Sequence, residues 1–209
     1  MINAYNKEYV YDAQKVLGEA VDYAVNGLNI DLSMFWVLFL ESKYSSKIEI
    51  GDYEPIFGMS GIELANRIVG NVLSDSNYYP FDRSEEYWLG YYLAYYQWKT
   101  GLPFKTISKY ISIKELLSLY NPYHEMDVES FVTRVSEIIN ERKNMTNLMA
   151  MRIKRNLTRK ELSELSNVPL RTIEQYEQRR KNINKASAED VLAMARTLLC
   201  KPEELLELI

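Results

Sequence analysis

The spacing of apolar residues along this chain suits one kind of secondary structure. Nowhere in its 209 residues does a convincing run of β-branched residues alternate with polar ones at a period of two, as a half-buried strand requires, and Ile48-Glu49-Ile50 is too brief to count. Tyr9, Ala13, Val16, Leu17, Ala20, Val21 and Ala24 instead recur at steps of three and four. That period predicts an amphipathic helix over residues 4 to 26, ending near Gly27. The expected fold class is all-α.

Side chains able to cap helices divide the rest of the first part. Asp31 can accept the free amides of a second helix that carries the run MFWVLFL, residues 34 to 40. Being apolar nearly all round, that helix is expected to be central. Ser60 and Glu63 fit a capping box opening a third helix that reaches about Val72. Ser84-Glu85-Glu86 opens a fourth, stopped by Gly101 and Pro103. Shorter helices are expected over residues 105 to 110 and 113 to 120, broken at Asn121-Pro122, and Asp127 caps a long one reaching about Lys143.

The fourth helix, EEYWLGYYLAYYQWKTG, carries Tyr87, Trp88, Tyr91, Tyr92, Tyr95, Tyr96 and Trp98. Such a surface suits two roles. It is either a central buried helix whose hydroxyls bond to polar neighbours, or, through Tyr87, Trp88, Tyr91, Tyr92, Tyr95 and Trp98, a surface that binds a protein partner.

The inventory excludes several chemistries. One cysteine, Cys200, and one histidine, His124, cannot form an internal disulfide or a Cys/His zinc site. No Gly-rich phosphate loop, GxSxG elbow or HExxH is present, so no catalytic residue, cofactor or metal is expected. His124 is expected in a loop or capping the helix that follows. The longest apolar run is far short of a membrane span, and the N-terminus has neither a basic nor an apolar stretch, so the chain is expected in the cytoplasm.

Charge and aromaticity both change near residue 144. Residues 1 to 144 hold 13 Lys and Arg against 20 Asp and Glu, whereas residues 145 to 209 hold 12 against 9. Ten of those 12 lie between positions 145 and 185, against four Glu, which points to a polyanionic partner. All Trp, all Phe and every Tyr but Tyr176 precede residue 132. Two domains are therefore expected, at residues 1 to 144 and 145 to 209, with different cores and partners.

The segment TRKELSELSNVPLRTIEQYEQ, residues 158 to 178, is the most informative. Thr158 and Glu161 make a capping box, Leu162 and Leu165 are expected to supply the buried side of a short helix, and Ser163 is small where a second helix must cross. Asn167 tolerates a left-handed backbone, Val168 can pack inward, and Pro169 suits the start of a helix. The helix that follows turns Ile173 and Tyr176 inward and Leu170, Arg171, Glu174, Gln175 and Gln178 outward. This is a helix-turn-helix.

With NLMAMRIKRN before it and VLAMARTLLCKPEELLEL after it, the segment resembles the Cro/C1-type (Xre) helix-turn-helix domain over residues 147 to 209. The resemblance implies a bundle of about five helices whose second motif helix lies in the major groove of double-stranded DNA. Leu170, Arg171, Glu174 and Gln175 then fall at base-reading positions. Thr158, Arg159, Thr172, Gln178, Arg179, Lys181 and Asn182 fall at backbone-contacting ones. Chemistry agrees in part: Gln175 can pair with adenine, Arg171 with guanine or a phosphate, and Leu170 can press on a thymine methyl. Glu174 repels phosphate, so it either contacts cytosine N4 or orients Arg171 or Arg159 through an ion pair, the latter being the expected role. The family usually has glycine at the positions of Asn167, Arg179 and Leu199, and this chain has none after Gly101. Cys200 stands where the family usually has valine, and is expected to be a small buried apolar residue.

A single domain of this type covers one half-site, so a homodimer is expected, joined through Leu205, Leu206 and Ile209 or through the first domain. Glu8, GMSGIELA and YWLGYYLAYYQWKTG also resemble the N-terminal region of some bacterial Xre-type proteins encoded beside toxin-like genes. That resemblance implies an antitoxin role, with residues 1 to 144 sequestering a toxin and residues 147 to 209 repressing the shared promoter.

Overall fold

Side-chain caps set most of the helix starts. In the computed structural model, which describes residues 3–70 and 83–207, no strand occurs among the described residues. The chain forms two units, residues 1–139 and 140–209.

The first unit opens with a 3₁₀ turn, Lys7–Tyr9, and α1 (Val10–Asp22), which runs into a π turn, Tyr23–Gly27. There follow α2 (Leu32–Glu41), α3 (Lys43–Glu49), α4 (Tyr53–Phe57), α5 (Gly61–Val69) and α6 (Glu85–Thr100). Then come α7 (Phe104–Tyr110), α8 (Ile113–Ser118), the segment α9 (Tyr120–Tyr123), kinked at extended Asn121, and α10 (Val128–Asn144), whose last residues belong to the second unit. The Asp31 carboxylate accepts the Ser33 and Met34 amides at 2.9 and 3.2 Å, and Asp127 accepts the Ser130 amide at 2.8 Å. Ser84 accepts the Tyr87 amide at 3.0 Å, and Gly101 ends α6 in the left-handed region at φ 67°.

The core of this unit forms where α6 crosses α1. A Cβ on Gly90 would stand 2.5 Å from the Leu17 carbonyl oxygen, so only glycine permits the approach. Phe131 of α10 then sits edge-on to Trp88, Tyr92 and Tyr96, with ring centroids 5.3, 5.4 and 6.4 Å away.

Several expectations need correction. Helix α2 is not central: Leu32, Phe35, Trp36 and Phe39 are buried, but Met34 and Val37 point outward at 62% and 59% exposure, because neighbours cover only one side of it. Helices α3 and α4 arise where no helix was expected, each opened by a short capping side chain, Ser42 on Tyr44 and Asp52 on Glu54. At α5 only half of the box forms. Ser60 accepts the Glu63 amide, while the Glu63 carboxylate accepts from Arg67 at 2.6 Å; Val72 lies outside the described residues. His124 takes the first of its two expected places, in the turn between α9 and α10, and caps nothing in α10. Its ring stacks on Tyr120 at 4.2 Å, with Nδ1 2.9 Å from the Tyr120 carbonyl.

The aromatic helix is central. Tyr87, Trp88, Tyr96 and Trp98 are buried, but Tyr87 and Trp88 still reach an open cavity that they line with Tyr91 and Tyr92. Tyr91, Tyr92 and Tyr95 remain half-buried. Tyr95 donates to Glu129 at 2.7 Å, and burial together with that carboxylate pushes its phenol up to about 12.

The second unit comprises α11 (Asn147–Lys154), α12 (Arg159–Ser166), α13 (Leu170–Glu177), a 3₁₀ turn (Ile183–Lys185), α14 (Ala188–Leu198) and a last 3₁₀ turn (Pro202–Leu205). Leu148, Leu162, Val168, Ile173, Met194, Leu198 and Leu205 form its core. The place expected for a fifth helix holds that last turn, begun by Pro202 and pinned by buried Leu205. Leu165 is another correction. It is 65% exposed, and the buried stripe of α12 is Leu162 with Ser166, whose hydroxyl donates back to the Leu162 carbonyl at 2.6 Å. Cys200 packs against this core, and burial raises its thiol. Ile209 lies outside the described residues.

Candidate nucleic-acid interface

Two short helices and the turn between them build the site. Thr158 accepts the Glu161 amide at 3.2 Å and donates its own amide to the Glu161 carboxylate at 2.7 Å, closing the expected capping box. That bond to the Thr158 amide holds the Glu161 carboxyl below its ordinary range. Asn167 ends α12 in the left-handed region at φ 57°. The Ser163 hydroxyl donates to the Val168 carbonyl at 2.7 Å, which ties the turn to the helix before it. Val168 then packs inward and Pro169 precedes the first residue of α13.

Helix α13 presents a divided cylinder. Ile173, Tyr176 and Glu177 are buried, while Leu170, Arg171, Glu174 and Gln175 lie partly or wholly at the surface. The side chains of these four, and those of Thr172, Gln178 and Lys181, make no hydrogen bond or ion pair among the described residues. They are free to meet a ligand.

The other expected positions are engaged. Glu174 pairs with neither Arg171 nor Arg159. The carboxylate that pairs with Arg159 is that of Glu177, fully buried, whose Oε2 accepts from Arg159 Nε at 2.6 Å. Arg152 grips the same carboxylate from the other side, Nε to Oε1 at 2.6 Å and Nη2 to Oε2 at 3.0 Å, and its Nη1 donates to the Leu157 carbonyl at 2.7 Å. The sequence held the signal for this triad. Glu177 lies four residues after Ile173, on the inward stripe, where a carboxylate needs a cation.

Arg179 also has internal work. It adopts a left-handed backbone at φ 54°, and its guanidinium donates to Glu207 at 2.9 Å and to the carbonyls of Asn144 and Met145 at 2.9 and 3.1 Å. Leu199, at φ 51°, keeps the third of the family's glycine positions in the same conformation. Asn182 caps the 3₁₀ turn through its bond to the Asn184 amide, at 2.9 Å.

Among the described residues no cluster of His, Cys, Asp and Glu could hold a metal ion, and no helix is long and apolar enough to cross a membrane. Residues 148–205 match the helix-turn-helix family, and this part of the chain is a DNA-binding domain of the Cro/C1 kind. No curated protein and no solved structure matches the chain.

Proposed function

We propose that the protein is a sequence-specific transcription regulator that represses its own promoter as a homodimer, with α13 in the major groove of double-stranded DNA. The observation that carries this reading is the face of α13, where Leu170, Arg171, Glu174 and Gln175 stand together unengaged on a helix whose opposite side is locked in the core. Gln175 offers the donor and acceptor pair that adenine N7 and N6 require, Arg171 the fork that fits guanine, and Leu170 an apolar contact for thymine, each good bidentate pair being worth about 1–3 kcal/mol of discrimination. Thr158, Arg159, Thr172, Gln178 and Lys181 surround that face as backbone contacts. Arg179 and Asn182, committed elsewhere, serve by shaping the loop after α13.

DNase footprinting on the DNA upstream of the gene, with an Arg171→Ala/Gln175→Ala variant beside the wild type, tests the proposal. Two protected half-sites one turn of DNA apart, about 34 Å, and lost in the variant, are expected. Absence of protection at low salt, where phosphate contacts are strongest, would overturn it.

A second reading, an antitoxin whose first domain sequesters a toxin, draws on the acidic excess of residues 1 to 144, which suits a basic protein partner. It requires co-purification with the product of a neighbouring toxic gene, through a surface that includes Tyr91, Tyr92 or Tyr95.

A further inference from the structure

The structure assigns Glu177 as a positioning residue that holds Arg159 ready to grip a DNA phosphate; this rests on the DNA-binding reading above and deepens it. The two arginines around the Glu177 carboxylate are used differently. Arg152 is almost buried and spends its whole fork inside the protein, on both carboxylate oxygens and on the Leu157 carbonyl. Arg159 spends only Nε, on Oε2. Its two terminal nitrogens have no partner among the described residues, and its side chain is 38% exposed.

The shared carboxylate also settles the sign of the local charge. One buried negative charge between two guanidinium groups leaves one positive charge in excess, and only Arg159 can show it to solvent. A guanidinium fixed through Nε presents its remaining N–H groups in one plane, the geometry that meets two phosphate oxygens at once. An arginine without this tether would have to be ordered at the moment of binding. Arg159 stands in the first turn of α12, beside the capped Thr158 and not on the base-reading helix α13, so a backbone phosphate fits it better than a base edge. Lysine cannot take its place, since one ammonium cannot keep the Glu177 bond and present a planar fork.

Charge and position predict opposite signs for one substitution. Glu177→Gln removes a negative charge from a DNA-binding domain, and on charge alone should strengthen binding. If Glu177 positions Arg159, the same change weakens it.

The experiment measures binding of the full chain to a random-sequence duplex of about 20 base pairs by fluorescence anisotropy, between about 50 and 200 mM salt. Wild type, Arg159→Gln, Arg159→Lys and Glu177→Gln are compared, each checked for folding by thermal melting. The expected result is a several-fold loss of affinity in all three variants. The slope of log affinity against log salt should fall by about one in Arg159→Gln and Glu177→Gln. Should Glu177→Gln fail to fold, the arginine variants decide. An unchanged slope in Arg159→Gln, or full recovery of affinity in Arg159→Lys, overturns the inference and leaves the triad as a brace of the fold. A wild type that binds no duplex at any salt overturns the DNA-binding reading itself.

Discussion

The two units treat buried polar groups in opposite ways. In residues 1–139 the core is built of rings, with Phe131 edge-on to three aromatic side chains of α6. Around that core, Asn66, the Gln97 carbonyl oxygen and the Trp88 indole N–H are buried without a hydrogen-bond partner among the described residues. Residues 140–209 have one aromatic ring, that of Tyr176, and a much shorter list of buried apolar side chains. They bury a carboxylate all the same, and it is satisfied by two arginines; no buried side-chain polar atom described in this unit is left unpaired. The contrast follows from size. A large core can carry an unpaired donor or acceptor, at about 1–3 kcal/mol each, whereas a small one has little surplus to set against it.

The comparison breaks first where each unit depends most on one residue. Glu177→Ala leaves Arg152 buried without its partner and is expected to cost about 3–5 kcal/mol. Phe131→Ala should cost about as much through the cavity it opens. Far-UV circular dichroism should show each variant lowering a different melting transition. Tryptophan fluorescence, which reports only on the first unit, should follow Phe131→Ala and ignore Glu177→Ala. A common shift in both would mean the units do not melt independently.

Alkali offers a gentler test. Burial raises the phenols of Tyr5, Tyr87, Tyr91, Tyr95 and Tyr96 in the first unit, and in the second only that of Tyr176. The folded chain keeps protons that the unfolded chain releases near pH 10, so this stability is complete below about pH 10 and is lost as pH climbs through about 12. Fluorescence-detected unfolding of the first unit should therefore precede loss of the second unit's helical signal, and the reverse order would contradict the assignment.

Smaller effects sharpen the picture within the second unit. Thr158→Ala removes the acceptor for the Glu161 amide and should cost about 1 kcal/mol in denaturant titration. Leu199→Gly relieves a left-handed backbone under an exposed side chain and should gain about 0.5 kcal/mol. Arg179→Gly relieves the same strain but forfeits the bonds to Glu207, Asn144 and Met145, so no gain is expected there.

What the sequence made legible was local. Asp31, Ser84, Asp127 and Thr158 each act within three residues of themselves, and so does the left-handed Asn167; all stand as their spacing implied. The inward pair Ile173 and Tyr176 is equally a matter of helical period. Errors came where a partner element decides. A helix as apolar as α2 does not say which side its neighbours will cover, and the side of α12 that its neighbours cover runs through Leu162 and Ser166 and leaves Leu165 out. The Arg159–Glu177–Arg152 triad joins three helices across 25 residues, and its ion pairs could not be assigned by local spacing, although the inward place of Glu177 could.

Asn156, Asn167, Arg179 and Leu199 take up turns that glycine would make without strain, and no glycine follows Gly101. Residues with a Cβ explore fewer shapes when unfolded, so a chain with them has less freedom to surrender as it folds. The connections between α11, α12, α13 and α14 therefore contain no supple joint. Whatever meets the exposed face of α13 meets a backbone whose course was set in advance, and the entropy of ordering that backbone belongs to folding and not to recognition.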